Sequence, residues 1–366
     1  MNDFKSTRQT TTTKQRHGVS LMEVLISIGV ISVGIFGVAS LIPVAQFKVA
    51  EGTSKDRQAA FGPSAAAQFR IEDMGNPDTW YPPNRRYVWK GQQVRKRAFC
   101  IDPLGLAENL VGTDYPGAIH RFPANATEGD SFFLPRITLN KLRHAQVGVE
   151  LALARDMCFL KDELVFDRPA DQGKQPRRKY FVDANGVPTS SLSSASLAWF
   201  ATVSPTVILD PLGEVHSDEF LLSIVVTKDR VPLLALTEEN YAHATCHFAG
   251  EIELFNSPVV ATGATDQMKM TDLGIGDWLL LSKPITAALA NDSTGKRVYR
   301  WTQIIGTSDA EDATATTSRR FTISNDDFFR PETSAGEMGY AVIFMRGVSA
   351  VYERTIRLEN SSMWSQ

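Results

Sequence analysis

The chain has 366 residues, of which 43% are apolar, so it is long enough and apolar enough to build two or three modest folded domains. Its 38 basic and 41 acidic residues leave a net charge of −3, which argues against the strongly basic surface of a general nucleic-acid-binding protein. The three cysteines, Cys100, Cys158 and Cys246, are too few and too far apart for a disulfide framework. A single disulfide between two of them remains an alternative in an oxidising compartment.

The first predicted element is a membrane-spanning helix. Residues 24–45 form a run of 22 residues without a charge. At about 1.5 Å per residue, a helix of that length covers about 33 Å, enough for a hydrocarbon core about 30 Å thick. Ahead of Glu23, which directly precedes the run, the N-terminal flank holds one acid, Asp3, and four basic residues, namely Lys5, Arg8, Lys14 and Arg16. Since Lys and Arg stay on the cytoplasmic side, we expect the N-terminus to lie inside and the rest of the chain to be exported.

Two common kinds of export segment fit this run only in part. A secretory signal peptide has an apolar region of about 7–15 residues, whereas this run continues past the small pair Ala39-Ser40, which imitates a cleavage site. A plain signal anchor fits the length but not Glu23. A carboxylate costs about 2.5–3.5 kcal/mol at the centre of a membrane helix and less near an interface, so Glu23 requires a partner.

The stretch "HGVSLMEVLI", residues 17–26, resembles the signal of type IV prepilins and type II secretion pseudopilins. In that family a basic leader ends in Gly, and a membrane aspartyl protease, the prepilin peptidase, cuts after it. The same enzyme N-methylates the new first residue, and a Glu stands fifth after the cut. The resemblance, which covers residues 16 to about 43, therefore implies cleavage between Gly18 and Val19, methylation of Val19, and a conserved role for Glu23. Val19 departs from the commonest residue, Phe.

The resemblance also implies roles within an assembled filament. Glu23 would pair with the Val19 ammonium of a neighbouring subunit and thereby set the axial register, as a lone polar group does in helix packing. Four further positions on the helix are candidates for packing or for local melting, and these are Gly29, Gly34, Gly37 and Pro43. Small residues let helices approach closely, whereas Gly and Pro weaken a helix, so both roles stay open.

Beyond the apolar run, residues 46–75 predict an amphipathic continuation of the helix that spans 19–75 in all. Gly52 and the segment Gly62–Ser64 are expected to interrupt it, and Asn76-Pro77 to close it. Residues 76–245 are predicted to form a pilin-like globular region with a loop-rich insertion. Its central sheet is expected to pair the apolar segments 197–205 and 219–230.

Residues 246–366 are predicted to form a β-rich C-terminal region. Ile252 and Leu254 alternate with Glu251 and Glu253, as in a half-buried strand. Several strand-like segments follow at short intervals, which indicates a meander or a small barrel. The expected class is α+β and pilin-like, with a long N-terminal hydrophobic helix followed by an antiparallel β-rich globular region.

Two groups of residues are of types that commonly ligate metals. The first is His243, Cys246 and His247, and the second is Asp266, Asp272, Asp326 and Asp327. The first group lacks the ligands that would complete a tetrahedral zinc site, and the second lacks the spacing of a calcium-binding loop. Trp278 and Trp301 would favour a binding surface if exposed, but we expect them in the core. Motifs for a nucleophile elbow, a phosphate-binding loop or a zinc protease are missing, so we predict no enzyme, metal or cofactor.

The sequence thus predicts a minor pilin or pseudopilin, cut by prepilin peptidase and assembled into a type IV pilus or a type II secretion pseudopilus. The expected partners are the peptidase, other subunits, assembly-platform proteins and the membrane, with no nucleic acid. The chain would cross the inner membrane once, with its N-terminus cytoplasmic and its C-terminal region periplasmic, before it enters a filament. The alternative is an extracytoplasmic binding module, or an enzyme, on a pilin-like membrane anchor.

Overall fold

The computed structural model describes residues 20–81, 97–107, 120–126, 132–144, 148–149, 151–159, 166–167, 177–178, 180–182, 188–191, 197–206, 208–209, 215–216, 219–228, 230, 238–247, 250–255, 268–284, 297–307, 318–324 and 340–358. The chain divides into two compact units, Met1–Asp56 and Arg57–Gln366. The predicted cleavage site at Gly18 and Val19 lies outside the described residues.

The described helices are α1 (Leu21–Ile71), α2 (Pro103–Ala107) and α3 (Leu151–Cys158), with short 3-10 turns at Pro77–Thr79, Asn140–Leu142 and Met270–Asp272. The first ten strands are β1 (Trp80–Tyr81), β2 (Phe99–Ile101), β3 (Arg121–Phe122), β4 (Leu134–Leu139), β5 (Arg143–His144), β6 (Gly148–Val149), β7 (Phe166–Asp167), β8 (Arg177–Arg178), β9 (Tyr180–Val182) and β10 (Pro188–Ser191). The others are β11 (Leu197–Pro205), β12 (Ile208–Leu209), β13 (Val215–His216), β14 (Phe220–Lys228), β15 (Glu239–Cys246), β16 (Glu251–Phe255), β17 (Trp278–Pro284), β18 (Arg297–Thr307), β19 (Ser318–Ile323), β20 (Tyr340–Met345) and β21 (Val348–Ile356).

Helix α1 runs without a break for 51 residues, through Pro43, Gly52 and Pro63. The interruptions expected at Gly52 and at Gly62–Ser64 are therefore wrong. For the second position the reason is packing: Phe61 and Phe69, on either side of it, are buried against the sheet. The free energy of this burial outweighs the cost of about 1 kcal/mol that a helical glycine carries.

The end of α1 has a defined geometry. The Met74 N–H donates to the Phe69 carbonyl over 3.0 Å, and the Asp73 N–H donates to the Arg70 carbonyl over 3.0 Å. Asp73 is left-handed, with φ of 56°. This is a Schellman motif, in which Met74 and Phe69 also share the core. The helix therefore ends at Ile71, four residues before the predicted limit of 75.

The main sheet has the strand order β1-β4-β2-β11-β14-β21, and β3 also pairs with β4. The predicted partnership of β11 with β14 is confirmed, since the two strands pair antiparallel from Leu197↔Lys228 to Pro205↔Phe220. The described sheet is not wholly antiparallel as predicted, because β2 and β4 run parallel. Alternate residues of β14, such as Leu222 and Ile224, pack with the last turns of α1.

A second sheet closes into a six-stranded barrel with the order β15-β16-β19-β18-β17-β20. The predicted alternation along β16 is confirmed, since Ile252 and Leu254 are fully buried in the barrel core and Glu251 is exposed. Side chains from every strand fill the interior, as expected for a barrel this narrow. The fold is therefore α+β, with a long apolar N-terminal helix, a mixed sheet and a barrel.

The barrel is inserted between two neighbouring strands of the main sheet. The chain leaves the sheet after β14, builds β15 to β20, and returns as β21, which pairs with β14. The predicted boundary near residue 245 falls inside β15. One face of the barrel shares a core with the sheet, in which Phe200 and Val225 meet Leu280 and Trp301.

Candidate functional site on the N-terminal helix

The apolar part of α1 is exposed on all sides. From Ser20 to Ala50 every side chain is exposed except Ser32, which is half-buried. An 18-residue window of this helix has a mean hydropathy of 2.4, and the helix is long and apolar enough to cross a membrane. Each Å² of apolar surface left in water costs about 25 cal/mol. A surface of this extent suits a segment that crosses a membrane or packs against other helices.

Glu23 is the only charged residue between Leu21 and Phe47. It lies in the first turn of α1, where its backbone N–H donates to the Ser20 carbonyl over 2.9 Å. A carboxylate at this end of a helix interacts favourably with the macrodipole. Among the residues that the structure describes, no cation pairs with its side chain, which leaves the carboxylate available to a group from outside.

Three serines of this segment satisfy their own hydroxyl groups within the helix. Ser27 donates to the Glu23 carbonyl over 2.7 Å, Ser32 to the Ile28 carbonyl over 2.7 Å, and Ser40 to the Gly37 carbonyl over 2.8 Å. Bonds of this kind remove the cost of carrying a hydroxyl into an apolar environment. Glu23 is therefore the polar side chain of this segment that most needs a partner.

Two glycines leave one side of the helix without bulky side chains. At about 100° per residue, Gly34 and Gly37 lie within about 40° of Glu23 around the helix axis, whereas Gly29 lies about 120° away. A Cβ atom at any of these three glycines would meet nothing within 4 Å. The structure thus places Gly34 and Gly37 on the side of Glu23, where another helix could approach closely.

A band of charges follows the apolar segment. Glu51 pairs with Lys48 over 3.1 Å and with Lys55 over 2.9 Å, and all three side chains are at least partly exposed. Charged groups that pair in this way at helical spacing favour a water-exposed position. The apolar segment of α1 therefore ends near residue 47.

The other candidates from the sequence serve structural roles where they are described. The His247 Nε2 atom lies 3.0 Å from the Glu253 carboxylate, and Asp272 accepts the Lys269 N–H over 2.9 Å at a 3-10 turn. Trp301 is buried and Trp278 partly buried in the core shared by sheet and barrel. In the part of the chain that the structure describes, no three His, Cys, Asp or Glu side chains are grouped for metal binding. Asp266, Asp326 and Asp327 lie outside that part.

The cysteines are also described. Cys100 and Cys158 are buried and Cys246 is half-buried, and all three are free thiols. Burial raises the pKa of the Cys100 and Cys158 thiols well above the ordinary value. Such thiols stay protonated and are poor nucleophiles.

A buried cluster of four charges, not predicted from the sequence, lies between the sheet and the barrel. Arg230 binds Asp102 through two bonds, Nη1–Oδ1 of 2.9 Å and Nη2–Oδ2 of 2.6 Å. Arg136 Nε lies 3.0 Å from Asp102 Oδ2, and Arg136 Nη2 also bonds Glu239. The four side chains are 2% exposed or less. Because the charges cancel and the cluster joins β4, the end of β2, the chain after β14 and the start of β15, it ties the sheet to the barrel.

Comparison with known proteins adds no relative: no family model, no curated protein and no solved structure matches this chain. The family resemblance therefore depends on the N-terminal residues alone. The structural features that bear on it are the exposed apolar segment of α1, the single carboxylate between residues 21 and 47, and the small glycines on the side of that carboxylate.

Proposed function

We propose that this chain is a minor pilin or pseudopilin, inserted in the inner membrane through α1 and later packed by α1 into a filament. The observation that carries the proposal is the isolation of Glu23, the single charge between Leu21 and Phe47, in the part of α1 whose apolar surface is exposed on every side. An anchor needs no carboxylate there, whereas a subunit that pairs with its neighbours gains register from one.

The proposed partner of Glu23 arises by processing. Removal of residues 1–18 by prepilin peptidase leaves an ammonium group at Val19, and its methylation retains the positive charge. In a packed bundle of helices an unpaired carboxylate is costly, while an ion pair with good geometry offsets the loss of hydration. Glu23 would meet the Val19 ammonium of a neighbouring subunit, and Gly34 and Gly37 on the same side would permit close contact.

Intact mass of the protein coexpressed with prepilin peptidase tests the processing step. We expect loss of residues 1–18 and the gain of one methyl group. Gly18→Ala should leave the leader in place, since the peptidase of the family cuts after Gly. An uncut wild-type protein, or a cut near Ala39, would contradict the proposal and favour the alternative of a binding module on a membrane anchor.

Glu23→Gln tests the pairing step separately. This change removes the charge while keeping the shape of the side chain. Cleavage should be unaffected, and incorporation into filaments should fall at least about tenfold, because breaking a buried ion pair costs about 3–5 kcal/mol. Ser27→Ala, one turn further along, is the matched control and should assemble normally, since the Ser27 hydroxyl bonds within its own helix. Normal assembly of Glu23→Gln would show that the pairing is wrong.

A further inference from the structure

A groove lies between the C-terminal end of α1 and the last strand of the main sheet. It encloses about 340 Å³. Its floor is apolar and includes Phe69 of α1, Leu222 of β14 and Ile356 of β21. A floor of this kind accepts an apolar side chain, so the chemistry of the rim decides what else the groove can bind.

The rim of the groove is basic. Arg70, Arg354 and Arg357 line it, against one acid, Asp73. Arg357 is 3.1 Å from Glu219, and Asp73 Oδ2 accepts a bond of 3.0 Å from Asn76 Nδ2. Within the described residues, Arg70 and Arg354 have no ion-pair partner. Guanidinium groups favour carboxylates as bidentate partners, so the rim is suited to an acidic ligand.

One side of the groove is an edge of the main sheet. Strand β21 is the last in the sheet order, and it pairs with β14 on one side. Both strands have residues that pack towards α1 and residues that pack towards the barrel. Even so, β14 is buried at seven of its nine positions, whereas no position of β21 is buried, as expected for a strand at the edge of a sheet. Among the described residues, no strand pairs with the other edge of this nine-residue strand, so that edge offers N–H and C=O groups to a further strand.

A second copy of this chain fits the edge poorly. If the β21 strands of two copies paired antiparallel, the copies would be related by a two-fold axis normal to the sheet. The α1 faces of both sheets would then lie on the same side, and side chains on that face would meet across the interface. Arg354 lies on this face, opposite Leu222. Self-pairing would therefore bring the basic rims of two grooves together, which like charges disfavour.

We propose that this groove and the β21 edge form a docking site for an extended acidic segment of a partner protein. The segment would lie beside β21 as an added strand. On the face towards α1 it would place a carboxylate against Arg354 and Arg70, and an apolar side chain two residues away over Ile356. The site lies within the second unit and does not depend on the proposed function of α1.

A fluorescein-labelled synthetic peptide, Thr-Leu-Thr-Glu-Thr-Glu-Thr, tests the site by fluorescence anisotropy with the full chain in detergent micelles. We expect saturable binding that weakens with added salt. The same peptide with Lys in place of both Glu residues should bind at least about tenfold more weakly, since it loses the charge-assisted bonds to the arginines and is repelled by them. Equal binding of the two peptides would overturn the proposal.

Charge reversal on the protein side provides the matched test. Arg354→Glu, alone or with Arg70→Glu, should lower the affinity for the acidic peptide at least about tenfold and raise it for the Lys peptide. Lys228→Glu is the control, since Lys228 is an exposed cation at the other end of the same strand pair. Unchanged binding to the Arg354→Glu variant would contradict the assignment, and circular dichroism verifies that each variant is folded.

Backbone methylation tests strand addition separately from charge. In an added strand, alternate N–H groups face β21, so N-methylation of one alternate set of peptide residues should abolish binding and methylation of the other set should not. If both methylated peptides bind like the parent, the ligand is held by charge alone and the strand geometry is wrong.

Discussion

At the scale of single residues, the most constrained charge in the described part of the chain is Asp102. Its burial raises the pKa of the carboxyl, but the nearby guanidinium groups of Arg230 and Arg136 outweigh this and lower the pKa from 3.8 to about 2. The Gly105 N–H also donates to the carboxylate over 2.9 Å. A Cβ on Gly105 would collide with Asp102 Oδ2, so the position beside the carboxylate requires glycine.

Asp102→Asn should therefore destabilise the protein by about 3–5 kcal/mol at pH 6, since two buried guanidinium groups lose a counter-charge. The difference from wild type should shrink as the pH falls. A carboxyl with a lowered pKa contributes stability that is fully present above its ordinary value of 3.8 and is lost as the pH falls towards 2. Urea unfolding of both proteins between pH 2 and 6 measures this. A difference independent of pH would mean that Asp102 contributes by shape rather than by charge.

The sequence predicts single residues well only where their surroundings are uniform. Glu23 is conspicuous because it is the one charge in a long apolar run. Asp102, Arg230 and Glu239 give no such signal, since they lie in ordinary mixed sequence and the fold alone brings them together. Arg136 is a partial exception, because it interrupts the apolar strand "LPRITL".

At the scale of elements, α1 and β21 meet at a point where only glycine fits. A Cβ atom on Gly62 would lie 2.8 Å from Cβ of Tyr352, an atom with no freedom to move away. The same helix carries Gly52, where a Cβ would meet nothing within 4 Å. The two glycines thus have the same effect on helix propensity but opposite packing environments.

Gly62→Ala should lower the stability of the second unit by about 1–3 kcal/mol, because overpacking pushes α1 away from the sheet. Gly52→Ala should leave that stability unchanged, since the added methyl group contacts nothing and favours the helix by about 0.5–1 kcal/mol. Thermal unfolding followed by near-ultraviolet circular dichroism compares the two variants. Equal midpoints would contradict the close contact with Tyr352.

The elements themselves were largely predictable, and their order in the sheet was not. The apolar runs of β11 and β14 and the alternation along β16 follow directly from burial on two faces or on one. Continuation of α1 past Gly62 depends on the sheet beneath it, and local propensity cannot reveal that. Likewise, no local signal indicates that β20 closes the barrel while β21, two residues later, joins the main sheet.

At the scale of the whole second unit, the sheet and the barrel share polar contacts as well as a core. Trp301 Nε1 donates to Thr202 Oγ1 over 3.0 Å, and the Tyr299 N–H donates to Ser204 Oγ over 2.9 Å. The Tyr299 hydroxyl donates to the Phe132 carbonyl over 2.8 Å, and burial raises its pKa to about 12. In these contacts and in the charge cluster, buried polar groups of one part find their partners in the other part.

We therefore expect the sheet and the barrel to unfold as one cooperative unit. Leu279→Ala, a truncation inside the barrel, should cost about 2–5 kcal/mol and reduce amide protection in β11 and β14 as much as in the barrel strands. Ile275→Ala is the control, because Ile275 is 69% exposed and its loss should cost less than about 0.5 kcal/mol. Faster hydrogen exchange confined to the barrel would show that the two parts are independent.

The return of β21 also has a consequence for the time course of folding. Strands β11 and β14 are close in sequence and can pair early, but Lys228 and Val348 are 120 positions apart. Closing so long a loop in a disordered chain carries a large entropic cost, and a high contact order slows folding. A barrel that folds first shortens the distance that the chain must search, because it pairs Glu239 at its start with Met345 at its end. We therefore expect the barrel to act as a kinetic template, with the edge strand docking as the last step.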